Sequence, residues 1–130
     1  MPIDYRIDHE ERVVLAQGHG AVSAADLFAY QREVWSRPDV VGFSELMDMT
    51  DAQEVVEPSA EGIHALAELS AAMDPPAGGG RFAIVAPQNL TFGLGRMYQA
   101  YRELSGRGTK QVAVFRSMAE ALRWLAQPTS

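Results

Sequence analysis

Short apolar segments alternate with helix-periodic segments along this chain, and that alternation limits the possible folds more than any other feature. Ile3, Tyr5 and Ile7 alternate with Asp4, Arg6 and Asp8, the period-two pattern of a half-exposed strand. His9-Glu10-Glu11 then turns the chain into a second strand over Arg12 to Gln17. There Val13-Val14-Leu15-Ala16 run consecutively, as in an inner strand covered on both faces. Gly18-His19-Gly20 is expected to end it as a loop.

Ser23 and Asp26 form a capping box ahead of Leu27, Phe28, Val34 and Trp35, a helix that stops before Pro38. A third strand is expected over Phe43 to Met49, followed by an acidic loop from Thr50 to Glu57. Pro58-Ser59 introduces a helix carrying Ile63, Leu66, Ala67, Ser70 and Met73, and Asp74-Pro75-Pro76 stops it. Arg81 to Ala86 reads as a fourth strand. Asn89 is the expected cap of a helix whose apolar stripe is Leu90, Leu94, Met97, Tyr101 and Leu104. Lys110 to Arg116 is a fifth strand, and Ser117 with Glu120 opens a last helix striped by Met118, Ala121, Leu122 and Leu125. The order is ββαβαβαβα. Right-handed crossovers then make the second to fifth strands parallel and leave the first antiparallel at an edge. The fold class is α/β with a mostly parallel five-stranded sheet, in one domain over residues 1–130.

The net charge of −6 is unevenly laid out. Between Arg37 and Arg81 there are nine acids and no Lys or Arg, whereas residues 75–130 hold seven bases against two acids. Internal pairing and solvated faces account for most such patterns. An acidic total argues against a nucleic-acid partner, though less firmly for the basic C-terminal part. The absence of cysteine excludes disulfides and thiolate chemistry. No apolar run approaches the length of a transmembrane span and no leader pattern opens the chain, so a cytoplasmic location is expected.

All strand-to-helix turns of such a fold open on the carboxyl edge of the sheet. Gly18-His19-Gly20, Asp48 to Asp51, Pro87-Gln88-Asn89 and Arg116-Ser117 lie there. His19 is the one candidate general base, with Asp48 or Asp51 to orient its ring, but no nucleophile stands at a spacing that completes a triad. The histidines at 9, 19 and 64 have no metal-binding spacing, and no metal or cofactor is expected. Gly93 and Gly95 lack the Walker lysine and the third Rossmann glycine, position 98 being Tyr. Each glycine costs about 1 kcal/mol in a helix. Close packing on the sheet would compensate; so would an anion or apolar ligand approaching Phe92, Gly93, Leu94, Gly95, Arg96, Met97 and Tyr98, unless Arg96 pairs internally with Asp48.

Phe92-Gly93-x-x-Arg96-Met97-Tyr98, Val114-Phe115-Arg116 and Glu120-Ala121-Leu122-x-Trp124-Leu125 resemble the small bacterial SpoIIAA-like proteins, relatives of STAS domains and, by fold, of CRAL-TRIO lipid-binding domains. The resemblance covers nearly the whole chain and implies a right-handed strand-helix superhelix. Anti-sigma-factor antagonists of that group carry a phosphoacceptor serine in Asp-Ser-Ser/Thr-Gly. Here the matching helix start reads Glu57-Pro58-Ser59-Ala60-Glu61-Gly62, so Ser59 is the positional candidate for phosphorylation while the motif core is missing. A phosphate there would meet Glu57 and Glu61.

Three function classes follow, in order. The first is a non-enzymatic STAS-like regulatory or interaction module, acting on a protein partner or as a homodimer through its acidic middle region. The second is a carrier of a lipid or small anionic ligand held beside the helix starting near Asn89, with Asp48 close by. The third is a hydrolase or isomerase centred on His19.

Overall fold

The computed structural model describes residues 2–128. Its elements are β1 (Ile3–Asp8), β2 (Val13–Ser23), α1 (Ala24–Trp35), a 3-10 turn (Pro38–Val40), β3 (Ser44–Val56), α2 (Ala60–Met73), β4 (Arg81–Val85), α3 (Asn89–Ser105), β5 (Gln111–Phe115) and α4 (Met118–Ala126). The five strands stand side by side in chain order, β1 antiparallel to β2 and the others parallel. The expected element order and strand directions hold.

Strand alternation divides the core in two. Val14, Ala16, Met47, Met49, Phe82 and Ile84 meet α1, α2 and α3 on one face. Leu46, Ala83 and Val85 meet Ala121, Met118, Trp124 and Leu125 of α4 on the other. One helix therefore covers a face opposite three.

Local capping follows the sequence at three helices. Ser23 accepts from the Asp26 amide at 3.2 Å while Asp26 accepts from the Ser23 amide at 2.9 Å. Ser59 and Ser117 accept from the Gly62 and Glu120 amides. Asn89 departs from expectation. Gln88 is the cap residue of α3 and makes no side-chain cap bond; the Asn89 Oδ1 instead accepts from Arg116 Nη1 at 2.7 Å.

Two strands are longer than their sequences suggest. β2 runs through Gly18-His19-Gly20 to Ser23, and β3 continues through the supposed acidic loop to Val56. The two extensions pair with each other, with register shifts between Gln17 and His19 and between Gly20 and Ala21. At each shift β3 contributes one extra residue, the geometry of a β-bulge. The glycines serve this path. Gly20 takes φ 58°, and a Cβ on Gly18 would lie 2.9 Å from Met49 Sδ.

α3 is rotated relative to its expected stripe. Thr91, Gly95, Tyr98 and Arg102 are its buried residues, one position on from the apolar series. Leu90 and Leu104 are left 62% and 80% exposed. Gly95 explains the rotation: a Cβ there would stand 3.1 Å from Val114 Cγ1, so the missing side chain lets the helix settle on β4 and β5.

Candidate functional site

The pairing of β4 with β3 ends where Val85 meets Asp48, whereas β3 runs on to Val56. β1 likewise reaches only to Gly18 of β2, with the His19 amide donating to Pro2 O. Beyond the body of the sheet, residues 20–23 and 52–56 thus form a two-stranded parallel ribbon. Asp51, Glu54, Glu57 and Glu61 are exposed on and beside it, and no ion pair reaches any of them among the described residues.

Beneath the ribbon lies a cavity of about 90 Å³ between the sheet and the three helices. Its buried floor includes Met47, Met49, Leu66, Phe82 and Ile84, and the half-buried Leu27, Val55, Ile63 and Leu94 surround its mouth. Left empty, that volume costs about 2 kcal/mol relative to a filled core. Six polar side chains, Tyr30, Gln31, Glu45, Ser70, Thr91 and Tyr98, interrupt the apolar wall. Tyr30 donates to Glu45 at 2.7 Å, and Ser70 donates to Gln31 Oε1 at 3.1 Å. Burial pushes the Tyr98 phenol well above the ordinary tyrosine range, against the pull of the Arg102 charge. Thr91 is 7% exposed.

This geometry distributes the predicted residues rather than gathering them. Leu94, Gly95 and Tyr98 line the cavity. Phe92 turns away and stacks under Arg116, 4.1 Å from guanidinium carbon to ring centroid. Gly93 faces open space and Arg96 is exposed, while Met97 is half-buried outside the cavity lining. Seven consecutive helical residues span two turns and cannot share one wall. Asp48 points to the α4 face, where it accepts from the Thr50 amide at 3.0 Å and borders a groove with Leu15 and Leu122. The Arg96 to Asp48 contact does not form.

His19 sits in β2 rather than in a loop. Its Nε2 is 2.8 Å from Asp4 Oδ2 on β1, so neither Asp48 nor Asp51 orients it. Asp51 accepts instead from Gln17 Nε2 at 2.8 Å. Parallel pairing of the two extensions puts His19 opposite Asp51 in register, but β1 offers the nearer carboxylate. Ser59 is exposed and its hydroxyl caps α2. Among the described residues no cluster of His, Cys, Asp and Glu could hold a metal ion, and no helix is long and apolar enough to cross a membrane.

No protein-family model matches the chain, and no curated protein matches it. Among solved structures it is similar to an uncharacterised protein of the DUF3478 family, described as having a SpoIIAA-like fold, from Shewanella loihica PV-4. The two share 16% identity over 95% of this chain and 93% of that one, with a TM-score of 0.59. The fold is SpoIIAA-like.

Within that SpoIIAA-like frame, two buried ion pairs at the opposite end of the sheet escape sequence reasoning. Asp74 Oδ2 accepts from Arg102 Nη2 at 2.8 Å and from the Thr109 and Lys110 amides. Glu45 accepts from Tyr30 and from Trp35 Nε1, and lies 3.7 Å from Lys110 Nζ. That ammonium rests 3.3 Å from the Trp35 ring centroid. Burial lowers the Lys110 pKa, and the Glu45 and Asp74 charges oppose the shift. The signal available in sequence was the polarity of the charge layout: acids of the middle segment meet bases of the last two strand-helix units.

Proposed function

We propose that this protein is a non-enzymatic interaction module whose contact surface is the β2–β3 ribbon. The observation that supports this reading is the open edge of β3. From Met49 to Val56 no strand among the described residues pairs with β3 on the β4 side, which at the usual rise leaves an edge of about 26 Å. Such an edge accepts a strand from another chain unless something guards it. Here the guard is selective. Asp51, Glu54, Glu57 and Glu61 repel an acidic segment and favour a basic one. Glu45, Glu68 and Asp74, by contrast, already have Lys110, Arg107 and Arg102. The partner is therefore a protein offering an extended basic segment. His19, committed to Asp4 on an exposed face, gives the hydrolase or isomerase reading no support.

Hydrogen exchange tests the contact. An alternating Lys-Val octapeptide should slow exchange at the amides of residues 50–56, and an alternating Glu-Val peptide should not. Neutralising all four carboxylates (Asp51→Asn, Glu54→Gln, Glu57→Gln, Glu61→Gln) should weaken the basic peptide about tenfold, at a few tenths of a kcal/mol per exposed charge. Unchanged exchange with the basic peptide overturns the reading. Light scattering addresses the homodimer: a dimer that persists in the neutralised variant moves the contact away from the ribbon.

A further inference from the structure

We propose that two copies of this chain associate through the α4 face of the sheet, the α4 helix of each covering β1 and β2 of the other about a two-fold axis parallel to the strands. The contact is independent of the ribbon. It rests on a half-covered sheet face, an apolar flank on the helix beside it, and a charge pattern that is complementary to itself.

A mostly parallel sheet ordinarily has both faces covered. Here α1, α2 and α3 cover one face, while on the other α4 packs chiefly on β3, β4 and β5. β1 and β2 are left bare on that side, although β2 is an inner strand. Two strands are about 10 Å across and an α-helix with its side chains is about as wide, so the bare strip has room for one helix. The chain has no fifth α-helix among the described residues to fill it. The strip is a groove of about 530 Å³, with the half-buried Leu15 on its floor, Asp4 and Arg6 on one bank, and Met118 and Leu122 on the other.

Three sides of α4 suit three neighbours. Ala121 and Leu125 pack on its own sheet. Leu122 borders the groove and is 48% exposed; at 3.6 residues per turn the exposed Ala119 and Ala126 lie on the same flank. The two-fold axis sets this flank against its own copy, Leu122 to Leu122, and the alanines allow the helices a close approach. The third side carries the exposed Glu120 and Arg123, which then face β1 of the other copy.

The order of charges matches as well as their sign. Arg81, at the start of β4, donates to carbonyls at the end of α4, so α4 runs back toward the amino end of the parallel strands. β1, antiparallel to β2, runs the same way. An axis parallel to the strands preserves both directions. Glu120 therefore meets Arg6 of the partner subunit, and Arg123 meets Asp8 of the partner subunit. Within one chain no ion pair among the described residues reaches any of these four. A second copy supplies a counter-charge to each, and a helix laid the other way would set like charges together.

Sedimentation equilibrium of the native protein tests the contact. An interface one helix wide lies at the small end of specific contacts, so the mass should rise from that of one chain toward that of two between about 1 μM and 1 mM. Leu122→Glu should weaken association about a hundredfold, since the two-fold axis applies the change twice. Arg123→Asp and Asp8→Arg should each weaken it about tenfold, and the two combined should recover most of the native affinity. Neutralising the four ribbon carboxylates should leave the dimer intact. Protein that stays monomeric to about 1 mM overturns the proposal, as does a dimer that Leu122→Glu leaves unchanged. Loss of the dimer in the ribbon variant moves the contact to the ribbon and overturns it too. A combined variant no tighter than the single ones overturns the pairing and the direction of the axis.

Discussion

Glu45 holds together three elements that are far apart in sequence, through Tyr30 and Trp35 of α1 and Lys110 ahead of β5. Removing its charge would leave the ammonium buried against Trp35 without a counter-ion. Glu45→Gln should therefore lower stability by about 3 to 5 kcal/mol, read from the urea midpoint at unchanged slope. A smaller loss would mean that Lys110 swings out to water. Tyr98 makes a prediction about pH. Its folded-state pKa is raised by burial, so the folded protein holds the phenolic proton more tightly than the unfolded chain. The associated stability is complete below the ordinary tyrosine value near 10 and is lost as pH rises beyond it. Tyr98→Phe should move the alkaline unfolding midpoint upward. Lys110 has the opposite sign: its lowered pKa is a penalty at neutral pH that lifts as pH approaches the ordinary lysine value. The pairing of Glu45 with Lys110 was not legible in sequence, because 65 positions separate the two residues and nothing in a charge count says which acid meets which base across such a gap.

At the level of elements, the two α3 glycines have different roles. Gly95 packs against Val114 and Ile84, while the space around Gly93 is open. Gly93→Ala should stabilise the protein by about 1 kcal/mol through helix propensity alone. Gly95→Ala should destabilise it by about 1 to 3 kcal/mol through overpacking, with thermal unfolding distinguishing the signs. Equal effects would mean that the glycines act through the unfolded chain. The apolar series from Leu90 to Leu104 looked like the packed stripe because periodicity counts side chains and takes no account of how close a bare Cα can come. The strand extensions were hidden for a related reason. Thr50, Gln53 and Glu54 are polar because one side of the ribbon faces water, and their strand conformation comes from pairing with β2. Caps, governed by neighbours three residues away, were read correctly at Ser23, Ser59 and Ser117.

For the molecule as a whole, the alternation of strands and helices together with the handedness of crossovers was enough to specify the sheet. The candidate site was less legible. Gly95 and Tyr98 were recognised as part of it, but the cavity depends on Thr91, Met49, Ile63 and Val55 from three elements converging. The charge layout found its meaning at this scale too. Glu45, Glu68 and Asp74 are met by the C-terminal bases, and what remains unmatched is concentrated at the ribbon.

The sheet is laid down in chain order, each new strand beside the last. A chain emerging from the ribosome can therefore dock every strand on an edge that already exists, without waiting for a later segment to be inserted between earlier ones. The last described helix also reaches back: Arg81, at the start of β4, donates to the carbonyls of Trp124, Gln127 and Pro128 at the end of α4. That contact acts as a latch on β4, and nascent chains stopped before Trp124 should remain open to protease at β4 long after β1 to β3 have become resistant.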